Sequence, residues 1–397
     1  MPQINFFSKK LNIVNKTIII RTDFNVPLNK NRISDSTRID LVIPLLKNLS
    51  SKKAKIILIS HLGRPKGKFD KKYSLKPVFK YLKKRFKNKV HFYSGLINSR
   101  LNDNKTLLKN GEILFLENIR FFKEETDNDL KFSKKLAKLG DIYINEAFSC
   151  SHRKQASVYN LAKLSKKSYA GPLMQKEIIS LEKIIKNKKK PLTCIIGGSK
   201  VSTKIGVLKN LIKHSNNLII VGAMANNFIN YQYQCEMGNS LIEKNVSKTI
   251  KSLYSQAKKQ KCNVIIPSDV AVSSTMNGKR KEKFIHDIKK GEIILDIGSR
   301  SLGLIKHIIL NSKTILWNGP AGYFENKNFA FGTQQIAITI SNLTKKNKLI
   351  SILGGGDTVA AINNIKKKLH FTHLSTAGGA FLEFIEGKSL PGIDVLK

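Results

Sequence analysis

Short runs of Ile, Leu and Val recur along the chain, separated by stretches in which apolar residues return every three to four positions. The runs fall at 17–20, 55–59, 90–93, 113–116 and 142–144, and again at 192–196, 218–221, 264–266, 293–295, 314–317 and 349–353. Each is too short for a helix and apolar on both faces, the pattern of a strand buried inside a parallel sheet. The helical stretches between them supply the crossovers that parallel strands require. The pattern predicts an α/β architecture, built twice.

The boundary between the two series is legible. Gly171-Pro172 opens a segment with Leu173, Ile178, Leu181 and Ile185 at helical spacing and the acidic Glu177 near its start. This reads as an amphipathic helix entered through a proline in its first turn. A basic stretch ending at Lys190, then Pro191, precedes the second series. The length, 397 residues, exceeds what one core usually serves, and a hydrophobic content of 41% is enough for two.

Charge changes the picture little. The chain carries 71 Lys and Arg against 27 Asp and Glu, a formal net charge of +44. Such an excess points towards nucleic acid when it is organised. Here the clusters at 83–89 and 186–190 do not interleave aromatics into a stacking platform. They read as solvated faces in a chain also rich in Asn and Ile, so no dedicated nucleic-acid partner is expected. The field would still draw in small anions, in a salt-dependent way. No apolar run is long enough for a membrane helix, and 1–10 shows no apolar stretch with a cleavage site, so no membrane association and a cytoplasmic location are expected. Cys150, Cys194, Cys235 and Cys262 are scattered, which favours reduced thiols over a disulfide or zinc site.

In open parallel sheets, ligands sit beyond the carboxyl ends of the strands, and the two halves differ there. In the first half the strand ends lead into Arg21-Thr22-Asp23-Phe24-Asn25, with Arg38 beyond, then Ser60-His61-Leu62-Gly63-Arg64, then Glu117-Asn118-Ile119-Arg120, then Glu146 to Arg153. Any one arginine could be a surface residue or a salt-bridge partner, and His152 could be structural. Four arginines after four strands, Arg38, Arg64, Arg120 and Arg153, with His61, form a candidate site for a small, multiply charged anion. Arginine forks give carboxylates and phosphates paired hydrogen bonds in a fixed plane.

In the second half the strand ends lead into glycines. Gly354-Gly355-Gly356-Asp357-Thr358 reads as strand, turn and helix start, where backbone N–H groups can approach phosphate oxygens. Asp357 could bind a magnesium ion or cap the helix. A second glycine loop, 375–380, follows a strand expected at 372–374. A third, Gly197-Gly198-Ser199-Lys200, continues to Lys204; a helix beginning near Ser199 would put Lys200 and Lys204 on one face. Neither the Gly-x-x-x-x-Gly-Lys-Ser/Thr loop nor a Gly-x-Gly-x-x-Gly after a strand is present, which excludes a P-loop enzyme and an ordinary dinucleotide dehydrogenase.

Together these segments resemble the phosphoglycerate kinase family. Residues 21–27, 60–65, 197–204, 317–325, 354–358 and 375–380 correspond to its motifs in order, over nearly the whole chain. The resemblance implies two Rossmann-like domains with parallel sheets, joined by a helix and hinge. Residues 1–171 would bind phosphoglycerate, with 381–397 packing back onto them; 172–190 would form the helix and hinge, and 191–380 the nucleotide domain. It implies reversible phosphoryl transfer between 1,3-bisphosphoglycerate and ADP, giving 3-phosphoglycerate and ATP, with Mg2+ and closure of the hinge, by a monomer. Asp23, Asn25, Arg38, His61, Arg64, Arg120 and Arg153 would hold 3-phosphoglycerate. Lys204, Glu325 and the turn Gly355, Gly356, Asp357 and Thr358 would hold the nucleotide, with Asp357 the metal ligand. Arg38, Lys200 and the amides of Gly356 and Gly379 would stabilise the phosphoryl group in flight.

The sequence departs from the commonest family pattern at Thr203, Ala223, Ala321, Tyr323 and Ala377, none of them a charged group assigned to catalysis. Two other readings are a scaffold of this shape that binds nucleotide without turnover, and a basic nucleic-acid-binding α/β protein.

Overall fold

In Thr17–Arg21 three consecutive isoleucines are buried along with their flanking residues, because β-branched side chains pack well on both faces of a pleated strand. A computed structural model describes residues 4–185, 189–375 and 377–397. Lys186, Asn187 and Lys188 of the basic stretch, and Thr376 of the second glycine loop, lie outside the described residues. The chain divides into two compact units, one of Met1–Ile178 with Ser389–Lys397 and one of Ile179–Lys388.

In the first unit Thr17–Arg21 lies between Lys55–Ile59 and Ile142–Asn145, parallel to both. Ile113–Leu116 and then Val90–Tyr93 continue the sheet on one side, and Ser168–Ala170 on the other, all parallel. Ile18, Ile20, Ile56, Leu58 and Phe115 of this sheet meet Ile39, Val42, Leu46, Leu49 and Leu82 of the crossover helices in one core. The final residues of the chain belong here: Gly392 accepts a hydrogen bond from Asn145 and donates one to the Ser151 carbonyl.

The second unit has its own six-stranded parallel sheet, in the order Asn263–Ile265, Asn217–Ile220, Leu192–Ile196, Thr314–Asn318, Ile350–Gly354, His373–Ser375. In chain order this is third, second, first, fourth, fifth, sixth, the doubly wound arrangement whose crevice opens where the order reverses, between Leu192–Ile196 and Thr314–Asn318. Trp317, fully buried, anchors the core beneath that point.

The run at 293–295 does not join the parallel sheet. Ile293–Ile297 pairs antiparallel with Asp269–Ser273, which also pairs antiparallel with Lys281–Phe284, in a separate three-stranded sheet. An apolar run records burial on both faces but not the direction of its partner, so the pattern could not distinguish the two. Ser168–Ala170 and Lys281–Phe284 escaped the pattern because Ser-Tyr-Ala and Lys-Glu-Lys-Phe lack an aliphatic run. The helix expected near Ser199 begins later, with one 3-10 turn at Ser202–Lys204 and α-helix only from Ile205 to His214. Among the described residues no helix is long and apolar enough to cross a membrane.

Candidate functional site

In the first unit the carboxylate of Asp23, just past the central strand, organises the cations. Arg38 Nη1 and Ser149 Oγ both donate to Asp23 Oδ2, the Asn25 N–H donates to Oδ1 at 2.9 Å, and His61 Nε2 lies 3.8 Å from Oδ1. Arg38 sits in the first turn of the helix Thr37–Ser51, where the helix dipole disfavours a cation, and the Asp23 carboxylate offsets that cost. Burial alone would raise the Asp23 carboxyl; the neighbouring His61 and Arg38, with the bonds from Ser149 and Asn25, pull it down to about 2. Asp23 is therefore ionised at any working pH.

Both imidazoles are pushed towards the neutral form. Burial pushes His61 well below its ordinary value, and Arg21, Arg120 and Arg38 add to this against the pull of Asp23. Burial and the neighbouring Arg153 bring His152 down to about 4, and its Nε2 accepts from Arg153 Nε at 3.0 Å. Both rings are neutral near pH 7, so the positive field of this site comes from its arginines.

Arg120, buried, donates from Nη1 to the Gly63 carbonyl at 2.9 Å, while Gly63 N donates to Asn25 Oδ1 at 2.8 Å. Gly63 has φ +60, and a Cβ there would lie 2.2 Å from the Tyr73 ring, so only glycine makes this turn. The turn ties Asn25, Arg120 and the loop of Arg64 together. Arg64 itself is exposed, and Arg153 is half-buried beside His152.

Below this layer lie groups not assigned as ligands from sequence. Arg21 is fully buried: Nε donates to Ser157 Oγ at 2.7 Å, Nη1 lies 3.3 Å from His61 Nδ1, and Nη2 is 3.8 Å from Glu125 Oε1. Glu125 in turn accepts from the Ser157 amide and hydroxyl at 2.8 and 2.7 Å. Cys150 Sγ is 3.8 Å from His61 Nε2, and burial raises its thiol despite Arg21, so it stays protonated. A charged residue closing an apolar strand, as Arg21 does, was the available signal: a buried guanidinium needs a buried partner.

In the second unit Lys204 is central. It immediately precedes the helix Ile205–His214, and its Nζ donates to the Gly197 carbonyl and, at 2.7 Å, to Asn318 Oδ1. Asn318 Nδ2 donates onward to the Gly354 carbonyl at 2.6 Å. Lys200 is exposed ahead of the 3-10 turn, its carbonyl accepting from Thr203 Oγ1 at 3.0 Å; it does not share a helix face with Lys204.

Gly355 has φ +103, and a Cβ there would lie 2.5 Å from Asn318 Nδ2, so this turn too requires glycine. It is the cap position of the helix Gly356–Asn363; Asp357 lies in the first turn, exposed, and is not the cap. The Thr358 hydroxyl is already engaged, donating to the Gly354 carbonyl at 2.9 Å and accepting from Gly319 N at 2.7 Å. Gly356 and Gly379 are exposed in the first turns of two helices, Gly356–Asn363 and Gly378–Ile385. A Cβ on the intervening Gly378 would come within 4.0 Å of Gly356 N, so the two turns lie side by side.

A cavity of about 360 Å³ opens next to these loops, with Gly198, Gly322, Glu325 and Asp357 in its lining. That is the size of a small-molecule site. Its remaining wall is largely apolar, including Leu241, Val270, Met276 and Pro320. Among the described residues there is no cluster of three His, Cys, Asp or Glu able to hold a metal unaided. One exposed carboxylate beside a phosphate-sized glycine turn does fit Mg2+, which takes one or two carboxylates and draws its other ligands from phosphates and water.

The family model described as phosphoglycerate kinase matches residues 8–388. A curated relative from Wolbachia pipientis, named phosphoglycerate kinase, is 42% identical over 390 residues, covering 96% of each chain. One of the same name from Brucella abortus is 41% identical over 388 residues, covering 97% of this chain and 98% of its own. The solved phosphoglycerate kinase structure from Coxiella burnetii superposes with a TM-score of 0.88 at 36% identity, over 98% of this chain and 97% of that one. That from Pyrococcus horikoshii gives 0.79 at 28% identity, over 98% of both chains.

Proposed function

The chain belongs to the phosphoglycerate kinase family, and from that premise we propose how its own residues divide the work of phosphoryl transfer. It is a phosphotransferase, moving a phosphoryl group reversibly between 1,3-bisphosphoglycerate and ADP to give 3-phosphoglycerate and ATP. Its fold, with two largely parallel sheets, matches the two Rossmann-like domains of the family structures.

The observation that carries the residue assignments is the contrast between strand ends: arginines around Asp23 in one unit, glycine turns around Lys204 in the other. We assign 3-phosphoglycerate to Arg38, Arg64, Arg120 and Arg153 with His61 and Asn25, and Asp23 to holding Arg38. Neutral His61 donates or accepts a hydrogen bond rather than supplying charge. The nucleotide phosphates go to Lys204 and the N–H groups of Gly355, Gly356 and Asp357. Thr358 shapes the turn through its engaged hydroxyl, and Glu325 meets the ribose hydroxyls.

The acceptor carboxylate of 3-phosphoglycerate is itself the nucleophile, so no general base is required. The transferring group carries dispersed negative charge and needs positioning and electrostatic stabilisation. Arg38 and Lys200 supply that charge, with the amides of Gly356 and Gly379 as fixed donors. Mg2+ held by Asp357 and the phosphates would neutralise charge on the nucleotide. The segment 172–190 serves as the hinge between a phosphoglycerate domain and a nucleotide domain, and closure excludes water from the acyl phosphate. The protein works as a cytoplasmic monomer.

The test is a coupled assay of the purified protein with 3-phosphoglycerate, ATP and magnesium, in which an added dehydrogenase consumes 1,3-bisphosphoglycerate and oxidises NADH. Turnover dependent on all three components is expected. Its absence beside an active dehydrogenase would overturn the reading in favour of a nucleotide-binding scaffold.

A further inference from the structure

Glu243 lies in the loop between the helices Ala223–Tyr233 and Ser247–Lys259, far along the chain from Lys200, yet its carboxylate closes on the Lys200 loop. Its Oε2 accepts from the amides of Val201 and Ser202 at 2.5 and 3.1 Å, and its Oε1 accepts from the Ser202 hydroxyl at 2.5 Å. These amides stand at the start of the turn Ser202–Lys204 and the helix Ile205–His214, where N–H groups have no partner within the helix. A carboxylate there satisfies them and meets the positive end of the helix dipole.

Glu243 is itself held in place. Its N–H donates to Asn227 Oδ1 at 2.8 Å, and Asn226 Nδ2 donates to the Leu241 carbonyl at 3.2 Å, so two neighbouring side chains of Ala223–Tyr233 fix this loop. The start of the same helix is tied to the glycine loop, Met224 N donating to the Gly198 carbonyl at 2.7 Å. One helix thus frames the chain on both sides of Lys200. Burial opposes the charged form of Glu243, but the Ser202 hydroxyl and the two amides, with the Lys200 charge, hold its carboxyl below the ordinary value. The two lysines depend on this carboxylate differently. Lys204 Nζ has acceptors of its own in the Gly197 carbonyl and Asn318 Oδ1. The Lys200 side chain is exposed, and its backbone is fixed by Glu243 at the buried Val201 that follows and by Thr203 at its carbonyl.

We propose that Glu243 is a positioning residue for phosphoryl transfer: by holding the Val201 and Ser202 amides it sets the direction from which Lys200 meets the transferring group. The proposal rests on the assignment of Lys200 to that group, and goes beyond it by naming what orients the lysine. Glu243 acts through Lys200 rather than on a substrate. Lys200 stabilises the phosphoryl group only in flight, so losing its orientation costs turnover and not nucleotide binding.

The experiment measures steady-state turnover, ADP affinity by calorimetry and melting temperature in the wild type, Glu243→Ala, Glu243→Gln, Lys200→Ala and the double variant Glu243→Ala with Lys200→Ala. Glu243→Ala is expected to lower kcat roughly 10- to 100-fold and to leave the ADP Kd within about twofold. Glu243→Gln should recover most of the turnover, because its amide oxygen can accept both N–H groups and its nitrogen can donate to the Ser202 hydroxyl. In the Lys200→Ala background the Glu243→Ala substitution should cost nothing further. An equal loss in that background overturns the proposal, since Glu243 would then act elsewhere. So does an ADP affinity that falls in step with turnover, which would make Glu243 a support for the whole loop. Full turnover in Glu243→Ala beside a large loss in Lys200→Ala overturns this proposal alone, whereas a wild type without turnover overturns the kinase reading with it.

Discussion

Lys204 Nζ donates to Asn318 Oδ1 at 2.7 Å, joining the residue ahead of one helix to the last residue of the strand Thr314–Asn318. Asn318 passes the connection on to the Gly354 carbonyl, so the glycine turns that follow three neighbouring strands are held by one chain of hydrogen bonds. Burial brings the Lys204 ammonium down to about 8, against the pull of Asp357. The free protein therefore begins to lose this proton just above neutrality, while a bound phosphate requires it. ADP affinity should be nearly constant below pH 8 and fall by up to about tenfold per pH unit above it. Lys204→Met should bind weakly at every pH and lose the dependence. Calorimetric titration from pH 7 to 9.5 checks this, and a flat wild-type profile would remove Lys204 from the phosphate site.

Lys200, exposed on the same loop, has a different expected signature. Its carbonyl accepts from Thr203 Oγ1, and its exposed side chain helps lower the nearby Glu243 carboxyl. Lys200→Ala should lower turnover by roughly 10² to 10³, as loss of one transition-state donor does, with only a modest change in nucleotide affinity. Unchanged turnover in a steady-state assay would exclude that role.

Arg64 and Arg21 separate binding from stability. Arg64 is exposed, so Arg64→Ala should weaken 3-phosphoglycerate binding and leave the melting temperature nearly unchanged. Arg21 is fully buried beside Glu125, and removing it leaves that carboxylate without its counter-charge. Arg21→Ala should cost about 3–5 kcal/mol of stability. Calorimetry and thermal melting on both variants check the contrast, and an intact Kd for 3-phosphoglycerate in Arg64→Ala would remove Arg64 from the site.

Most strands could be read from Ile, Leu and Val alone, because a strand buried on both faces has to be apolar throughout. What could not be read was direction and partnership. Ile293–Ile297 looks like the parallel strands yet pairs antiparallel, and Ser168–Ala170 is a short edge strand with little side-chain signal. In the site, arginines and glycines stood out because they recur after one strand end after another. Glu243 and Glu146 did not stand out. Their importance lies in which polar atoms the fold brings to them or leaves unpaired, and that is decided by packing between distant segments. Lys200 and Lys204 show the same limit, since their i, i+4 spacing suggested a shared helix face and the chain starts its helix only at Ile205.

Glu146 gives the most direct test of a buried charge. Its Oε2 accepts from the amides of Leu173 and Met174 at 2.9 and 3.1 Å, at the start of the helix Pro172–Ile185, while Oε1 is buried without a hydrogen-bond partner. Burial pushes this carboxyl from 4.5 up to about 8, with the two amides opposing. Between those values the folded state holds the proton more tightly than the unfolded chain. The stabilisation is therefore complete below the unfolded value and declines as pH rises towards 8. The decline is at most roughly 1.4 kcal/mol per pH unit. Glu146→Gln keeps an acceptor for the helix amides but cannot ionise. Denaturant unfolding at pH 5 and pH 8 should show the variant gaining on the wild type as pH rises. A difference between the two proteins that stays constant across that range would mean the Glu146 carboxyl does not titrate there.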